Sequence, residues 1–331
     1  MSRFDEIFPL FQEYDMFAQT VDVVKEPNVY KAITPFGSFV CKRTAAPPGR
    51  LLFMGGVLRH LQQRGWEGAI PYTYTKYDEP FVKRGENLYY LTAWQPSLPV
   101  DQVRLPAWGE AALVRLAELH HLTQNYRFDD PRQVEPLLNA LLTRWQDWRD
   151  KAKRWAADAE HSRYPSPFEL VFLANRAFLL DLADEAIRLL REWRERHRTH
   201  AHFRLSIIHG SPQPSHTLID RSGQVRLINF DRSTFDTPVR DVAMFYRTYF
   251  QLGGTEASAS ELFEKYATVF PLRPEEITLC SILLLYPERI MRDLETYYER
   301  KRDWNELYAV RRMEKDLDRL LQLTRWVQRA F

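Results

Sequence analysis

The 331-residue sequence has few cysteines and almost no net charge. Its two cysteines, Cys41 and Cys280, are too few for a disulfide framework and show neither metal-ligand spacing nor a catalytic signature. We expect both to be packed thiols in a reducing compartment. The formal net charge is only +2, from 46 basic and 44 acidic residues, so no overall field favours nucleic acid as a partner.

Long apolar runs are also missing. The longest, near residues 282–286, is much too short to span a bilayer, and the opening MSRFDEIF carries early acids and no extended apolar segment. We therefore expect neither a membrane span nor an export signal. A composition with 45% hydrophobic and 27% charged residues is enough for a large core and indicates a globular protein.

Two short apolar runs within residues 205–250 each end in a polar cluster. The run 205–208 is followed by His-Gly-Ser at 209–211, and the run 225–228 is followed by Asn-Phe-Asp at 229–231. Between them, the sequence DRSG at 220–223 predicts a hairpin turn, because Asp and Gly supply turn geometry between apolar runs. A hairpin brings the polar ends of both runs together, which is the layout of a phosphoryl-transfer site.

This stretch resembles the motif H-G-D-x-x-x-x-N, strand, turn, strand, D-F-D of the aminoglycoside phosphotransferase and choline kinase branch of the protein-kinase-like superfamily. His209 with Gly210, Phe230 with Asp231, and Asp241 in the next helix match it. The resemblance implies an α+β, bilobal protein-kinase-like fold with a small antiparallel β lobe and a larger helical lobe. It also implies structural roles for His209 and for Asp241, which anchors the catalytic loop in that family.

Three positions depart from the motif. Ser211 replaces the catalytic Asp, His216 replaces the metal-binding Asn, and Asn229 replaces the magnesium-binding Asp. Kinases need a carboxylate to accept the hydroxyl proton and hard oxygen ligands to hold magnesium. The substitutions therefore predict a catalytically inactive pseudokinase with no expected cofactor.

An active enzyme is the alternative. Asp231 lies two residues from Asn229, so both would face the same side of an extended strand, and Asp231 could then substitute for the lost carboxylate. His216 could bind a softer metal. The chain would then be an atypical phosphotransferase that uses ATP and magnesium, with an amino alcohol or a sugar as the acceptor.

Four segments, 21–26, 28–35, 37–44 and 79–94, alternate with the period of β-strands and predict an antiparallel sheet. The resemblance places Lys42 on the third strand as the nucleotide-binding lysine. However, no acidic partner for it occurs in the predicted helix 51–64, and no glycine-rich loop precedes it. A proline-containing connector after Trp94 predicts two lobes, 1–95 and 96–331.

Helical patterns dominate the remainder, and the segments DTPVRDVAMFYRTY and YPERIMRDLETYYERKRDW are similar to the spore coat protein S (CotS) family. That similarity implies synthesis in the mother-cell cytoplasm, deposition on the spore coat, and other spore coat proteins as partners. A side-chain set with interface-like composition, Tyr298, Arg300, Arg302 and Trp304, is a predicted contact surface. The alternative is an amphipathic helix that covers the large lobe.

Overall fold

The computed structural model describes residues 6–25, 27–124, 134–197, 204–299 and 304–331. It divides into two compact units, Met1–Leu122 with Ile207–Thr234 and Thr123–Ser206 with Phe235–Phe331. A small antiparallel sheet and a larger helical part confirm the predicted α+β class. The lobe boundary after residue 95 stays a prediction. In the part of the chain that the structure describes, no helix is both long and apolar enough to cross a membrane.

The first unit contains the antiparallel sheet predicted from the period-2 segments. Its strands are β1 (Thr20–Lys25), β2 (Val29–Thr34), β3 (Gly37–Thr44), β4 (Tyr72–Thr73), β5 (Val82–Arg84) and β6 (Asn87–Ala93). They are ordered β1-β2-β3-β6-β4, and β5 also pairs with β6. The predicted turn at 34–37 joins β2 to β3, where the Thr34 hydroxyl donates to the Gly37 carbonyl at 2.9 Å.

The two faces of this sheet have different roles. One face packs on a 3-10 helix, Phe8–Tyr14, through a cluster of buried side chains: Ile7, Leu10, Phe11, Tyr14, Tyr30, Ala32, Cys41, Tyr89 and Leu91. Because side chains alternate along a strand, the neighbours Lys42 and Tyr90 point to the opposite face. The β3–β6 register places Lys42 directly opposite Tyr90.

Two helices and a hairpin complete the first unit. Helix α1 (Pro48–Gln63) follows β3, and α2 (Leu105–Thr123) follows β6. Strand β7 (Ser206–Ile208) leads to the hairpin of β8 (Thr217–Ile219) and β9 (Val225–Leu227), as predicted. The Asp220 carboxylate closes the turn by accepting from the Ser222 and Gln224 backbone N–H groups at 2.8 and 2.9 Å.

The second unit is mainly helical. Two long helices, α3 (Val134–His161) and α4 (Pro167–Arg196), precede strand β10 (Thr234–Asp236) in the chain. After β10 come α5 (Val239–Gln251), α6 (Glu256–Val269), α7 (Pro274–Leu285), α8 (Glu288–Glu299) and α9 (Glu306–Ala330). A capping box of Ser166 and Glu169 begins α4. Aromatic contacts fix the packing: the rings of Trp145 and Tyr286 stack at 4.2 Å, and the Tyr286 hydroxyl donates to the Trp145 carbonyl at 2.8 Å.

The predicted contact surface in the C-terminal segment is partly wrong. The Tyr298 ring stacks on Trp155 at 4.9 Å, and its hydroxyl is buried, so this side chain belongs to the packing of α8 against α3. Trp304 is half-buried. Arg300 and Arg302 lie outside the described residues. An amphipathic α8 that covers neighbouring helices explains Tyr298 better than an exposed binding surface does.

Candidate functional site

The two polar clusters meet in the first unit, as the hairpin predicts. The backbone of Gly210 has a φ of +77°, and a Cβ built there would lie 2.4 Å from the Arg232 carbonyl oxygen. No side chain can occupy that space, so glycine is required both for conformation and for the close approach of the two loops. Residues 209–211 are thereby held against residues 229–232.

His209 connects the same two loops through both ring nitrogens. Its Nδ1 accepts the Ser211 backbone N–H at 3.2 Å, so Nε2 carries the proton and donates to the Ile228 carbonyl at 2.9 Å. The side chain is fully buried, and its ring meets Phe230 edge-on at 4.9 Å. These contacts tie the loop after β7 to the end of β9; the structural role expected for His209 stays a prediction.

Lys42 lies between the two polar residues that follow β9. Its Nζ donates to Asp231 Oδ2 at 2.9 Å and also to Asn229 Oδ1. The side chains of Lys42 and Asp231 are only 18% and 19% exposed, so this ion pair is well shielded from water. The sequence identified Lys42 as a candidate without an acidic partner in α1, and the structure supplies Asp231 as its partner.

The carboxylate of Asp231 is fully engaged. Besides Lys42, Oδ2 accepts from the Thr44 hydroxyl at 2.8 Å, and Oδ1 accepts from the Tyr90 hydroxyl at 2.9 Å. Sequence reasoning missed Thr44 and Tyr90, because only the strand register shows that they share a face with Lys42. All the donors come from β3 and β6, so Asp231 ties the loop after β9 to the sheet.

The expectation that Asn229 and Asp231 share one side of an extended strand is wrong. Strand β9 ends at Leu227, and Asn229 has a left-handed backbone with φ 69° and ψ 58°. A 3-10 turn, Phe230–Arg232, follows. Asn is one of the few residues that adopt the left-handed region readily, because its short amide can bond locally. Both side chains reach Lys42 through this turn.

His216 binds the other end of the Asn229 amide. Because lysine only donates, Oδ1 of Asn229 faces Lys42 and its Nδ2–H₂ faces His216 Nε2, which accepts at 2.6 Å. The His216 Nδ1–H donates to the Ser211 carbonyl at 2.9 Å, and Gln213 Nε2 donates to Nε2 at 2.8 Å. Burial lowers the pKa of His216 to about 4, although the bond to the Ser211 carbonyl acts in the opposite direction. The imidazole is therefore neutral near pH 7.

These residues do not fit magnesium as they are arranged. A hard cation needs several oxygen ligands, preferably carboxylates. The single carboxylate, Asp231, has donors on both oxygens, Asn229 Oδ1 holds Lys42, and His216 offers a nitrogen already bound to two amides. Within residues 6–25, 27–124, 134–197, 204–299 and 304–331, no three His, Cys, Asp or Glu side chains are grouped to hold a metal ion.

A cavity of about 460 Å³ opens beside Lys42. That volume lies within the range of small-molecule sites, about 300–1,000 Å³. Its wall is mostly apolar and aromatic, and it includes Val29, Val40, Ile70, Tyr72, Tyr90, Trp94, Leu218 and Ile228, together with Lys42, His216 and Asn229. The Tyr72 hydroxyl is buried and has no hydrogen-bond partner among the described residues, and burial raises its pKa.

The remaining predicted site residues lie in different places. Ser211 is half-buried and contributes its backbone N–H to His209 and its carbonyl to His216. A hydroxyl at this position cannot act as a carboxylate base. Asp241 is fully buried in the first turn of α5, in the second unit. Its predicted anchoring role stays a prediction.

Comparison with protein families gives one match across most of the chain. Residues 44–329 match the family described as "Spore coat putative kinase YutH". The match contains Asn229, Asp231 and His216 and almost all of the second unit.

Solved structures show the same fold. An aminoglycoside phosphotransferase from Alicyclobacillus acidocaldarius superposes with a TM-score of 0.77 at 22% identity, covering 97% of this chain and 96% of that one. AMP-bound spectinomycin phosphotransferase APH(9)-Ia gives 0.68 at 12% identity, covering 98% of each chain. A microcompartment-associated aminopropanol kinase gives 0.64 at 13% identity, again covering 98% of each. These likenesses confirm the predicted aminoglycoside phosphotransferase-like fold.

Proposed function

The chain belongs to the YutH family of spore coat kinase-like proteins, and on that basis we propose that it acts as a catalytically inactive component of the spore coat. Its kinase-like fold then serves as a binding scaffold for other coat proteins. The family description supports the coat setting. The geometry around Lys42 supports the loss of catalysis.

One observation carries the proposal of inactivity. The groups at the catalytic and metal positions bind one another: His216 holds the amide of Asn229, and Asn229 and Asp231 hold Lys42. A phosphoryl-transfer site keeps such groups available for nucleotide, metal and acceptor. In addition, Ser211 cannot act as the general base, and a base of this kind contributes about 10²- to 10⁴-fold to the rate.

The cavity favours one alternative, an active atypical phosphotransferase. Its volume of about 460 Å³ and its aromatic wall beside Lys42 could accept the planar base of a nucleotide. Relatives in the fold are named for spectinomycin and aminopropanol, which supports an amino alcohol or a sugar as the acceptor in that case. Such an enzyme would need Lys42 and Asp231 to separate during the reaction.

Titration with ATP separates the two functions. Purified protein is titrated with ATP alone, with ATP and magnesium, and with ATP and manganese, while the melting temperature and phosphate transfer to ethanolamine and to glucose are measured. A ligand that binds the folded state raises the melting temperature. Under the proposal, no metal-dependent shift occurs and turnover stays below about 0.1 per second, under the kinase range of about 1–100 per second.

Matched variants identify where any signal originates. Lys42→Met removes the cation in the cavity, whereas Lys83→Met removes an exposed lysine of β5 and serves as the control. Metal-dependent turnover that Lys42→Met abolishes and Lys83→Met leaves intact would establish the enzyme. If neither variant nor the unmodified protein transfers phosphate, the result agrees with the proposed role as a non-catalytic scaffold.

Localisation tests the coat role separately. Fluorescent fusions of the unmodified chain and of the Lys42→Met variant are followed in sporulating cells, after circular dichroism has shown that both are folded. Because the proposed role needs no chemistry at Lys42, both should move from the mother-cell cytoplasm to the spore surface. A Lys42→Met fusion that stays diffuse while Lys83→Met reaches the coat would contradict a role independent of the cavity.

A further inference from the structure

A second cavity lies wholly within the helical unit. Its volume is about 50 Å³, and it is bounded by the end of α5, the start of α8 with the two residues before it, and the middle of α9. Three arginines line it, Arg247, Arg289 and Arg319, one from each of these elements. Two carboxylates, Glu288 and Asp316, also line it.

The carboxylates are already neutralised by partners of their own. Glu288 binds Arg247 at 2.5 Å and Arg292 at 3.0 Å. Burial acts to raise the pKa of Glu288, but the cations Arg247, Arg144 and Arg292 together lower it below its usual value. Asp316 accepts from Arg289 Nε at 2.8 Å and from the Gln251 side chain. Both carboxylates are therefore paired with residues other than Arg319.

Arg319 has no carboxylate partner among the described residues. Its Nη1 donates at 3.0 Å to the neutral side-chain oxygen of Gln322, and its Nε is buried without a hydrogen-bond partner in the described part of the chain. Arg289 is bound to Asp316 only through Nε, which leaves its terminal nitrogens unbound by any described residue. Because Nε of Arg319 is closed to solvent, the donors that remain for a ligand are the terminal guanidinium nitrogens of Arg319 and Arg289.

We propose that this cavity is a binding site for a small tetrahedral oxyanion, inorganic phosphate or sulfate, held between Arg319 and Arg289. Guanidinium groups match such anions because their N–H donors form a planar fork that can bind two oxygens at once. A buried water needs about 10–15 Å³ of such volume, so about 50 Å³ admits a group of a few heavy atoms and excludes a nucleotide. The site is distinct from the Lys42 cavity and does not depend on the proposed coat function.

Titration with inorganic phosphate tests the site directly. The melting temperature of the full chain is measured in sodium phosphate, in sodium sulfate and in sodium chloride at matched ionic strength and pH 7. Phosphate at about 20 times its dissociation constant raises the folding equilibrium constant about 21-fold. The ³¹P linewidth of phosphate gives a second readout that needs no unfolding.

Three variants locate the effect. Arg319→Gln and Arg289→Gln remove the two proposed ligands, and Arg311→Gln removes an exposed arginine of the same α9 helix that does not line the cavity. Both oxyanions should stabilise the unmodified chain and Arg311→Gln more than chloride does. Arg319→Gln and Arg289→Gln should lose most of the shift and of the ³¹P broadening.

The opposite results would overturn the site. An unmodified chain that responds to phosphate no more than to chloride has no such site, and a response that survives in both cavity variants places the anion elsewhere. If Arg319→Gln does not fold, Arg289→Lys decides: the lysine keeps a cation beside Asp316, whose side chain is only 2% exposed, but it lacks the planar fork that binds two oxygens, so the phosphate response should still weaken. Glycerol phosphate that binds as tightly as inorganic phosphate would contradict the small, ion-sized cavity.

Discussion

Removing either partner of the Lys42–Asp231 pair should destabilise the first unit, and removing both should cost less than the sum. Asp231→Ala deletes the acceptor of three donors, Lys42 at 2.9 Å, Thr44 at 2.8 Å and Tyr90 at 2.9 Å. Breaking a buried pair costs about 3–5 kcal/mol. Because the two side chains are 18% and 19% exposed, we expect the low end, about 3 kcal/mol.

Lys42→Met should cost less, because Asp231 keeps two hydroxyl donors. Hydrogen bonds to charged groups contribute about 1.5–3 kcal/mol, so about 2 kcal/mol is expected for this variant. In the double variant no charge is left unpaired. The coupling between the two sites should therefore be about 2 kcal/mol, within the range measured for residues in contact.

Hydrogen exchange on peptides from β3 and β6 is the suitable assay, because it reports the stability of the first unit rather than of the whole chain. Asp78→Ala with Arg59→Met is the matched control, an exposed ion pair of the same unit at 2.6 Å. An exposed pair of this kind should show no resolvable coupling. Additive effects of Lys42→Met and Asp231→Ala, within about 0.5 kcal/mol, would refute the account of the site as a bonded network.

Three further outcomes follow from the same contacts. The pKa of His216 is lowered to about 4 in the folded chain, against about 6.5 when unfolded. The stabilisation from its neutral imidazole should therefore be fully present above about pH 6.5 and be lost as the pH falls towards 4. In urea titrations, the free energy of unfolding should fall by on the order of 3 kcal/mol over this range, and His216→Gln should reduce that fall. Gly210→Ala should lower the melting temperature more than the control Gly223→Ala, because both have positive φ but only Gly210 has a carbonyl 2.4 Å from the new Cβ. Tyr90→Phe should cost about 1–2 kcal/mol by urea unfolding, whereas Tyr89→Phe, on the other sheet face, should leave the contacts of Asp231 intact.

The sheet and the hairpin could be predicted from sequence, because both follow from short-range patterns. Period-2 alternation in β2, β3 and β6 determines which side chains share a face, and it correctly separates Cys41 from Lys42. Asp220 with Gly223 fixed the hairpin through turn chemistry that acts within four residues.

The bonds within the site could not be predicted from sequence in the same way. The pairing of Asp231 with Lys42 and Tyr90 depends on the β3–β6 register, which joins residues 48 positions apart. Asn229 has a left-handed backbone at a position where we expected an extended strand. An Asn at the end of a strand is itself a signal for this conformation. Local patterns specify elements, whereas these contacts depend on how distant elements align.

Ligand binding in the cavity of the first unit is opposed by the network beside it. A phosphate group that takes Lys42 must draw it from Asp231 and Asn229, and it must leave a shielded carboxylate with only two hydroxyl donors. The loss of a charged hydrogen bond, about 1.5–3 kcal/mol, lowers affinity roughly 10- to 150-fold, since about 1.4 kcal/mol is a factor of ten. A nucleotide that fills the aromatic part of the cavity would therefore gain little from its phosphates. We expect nucleotide binding in this cavity to be weak and independent of metal, because Asn229 and Asp231 already hold Lys42.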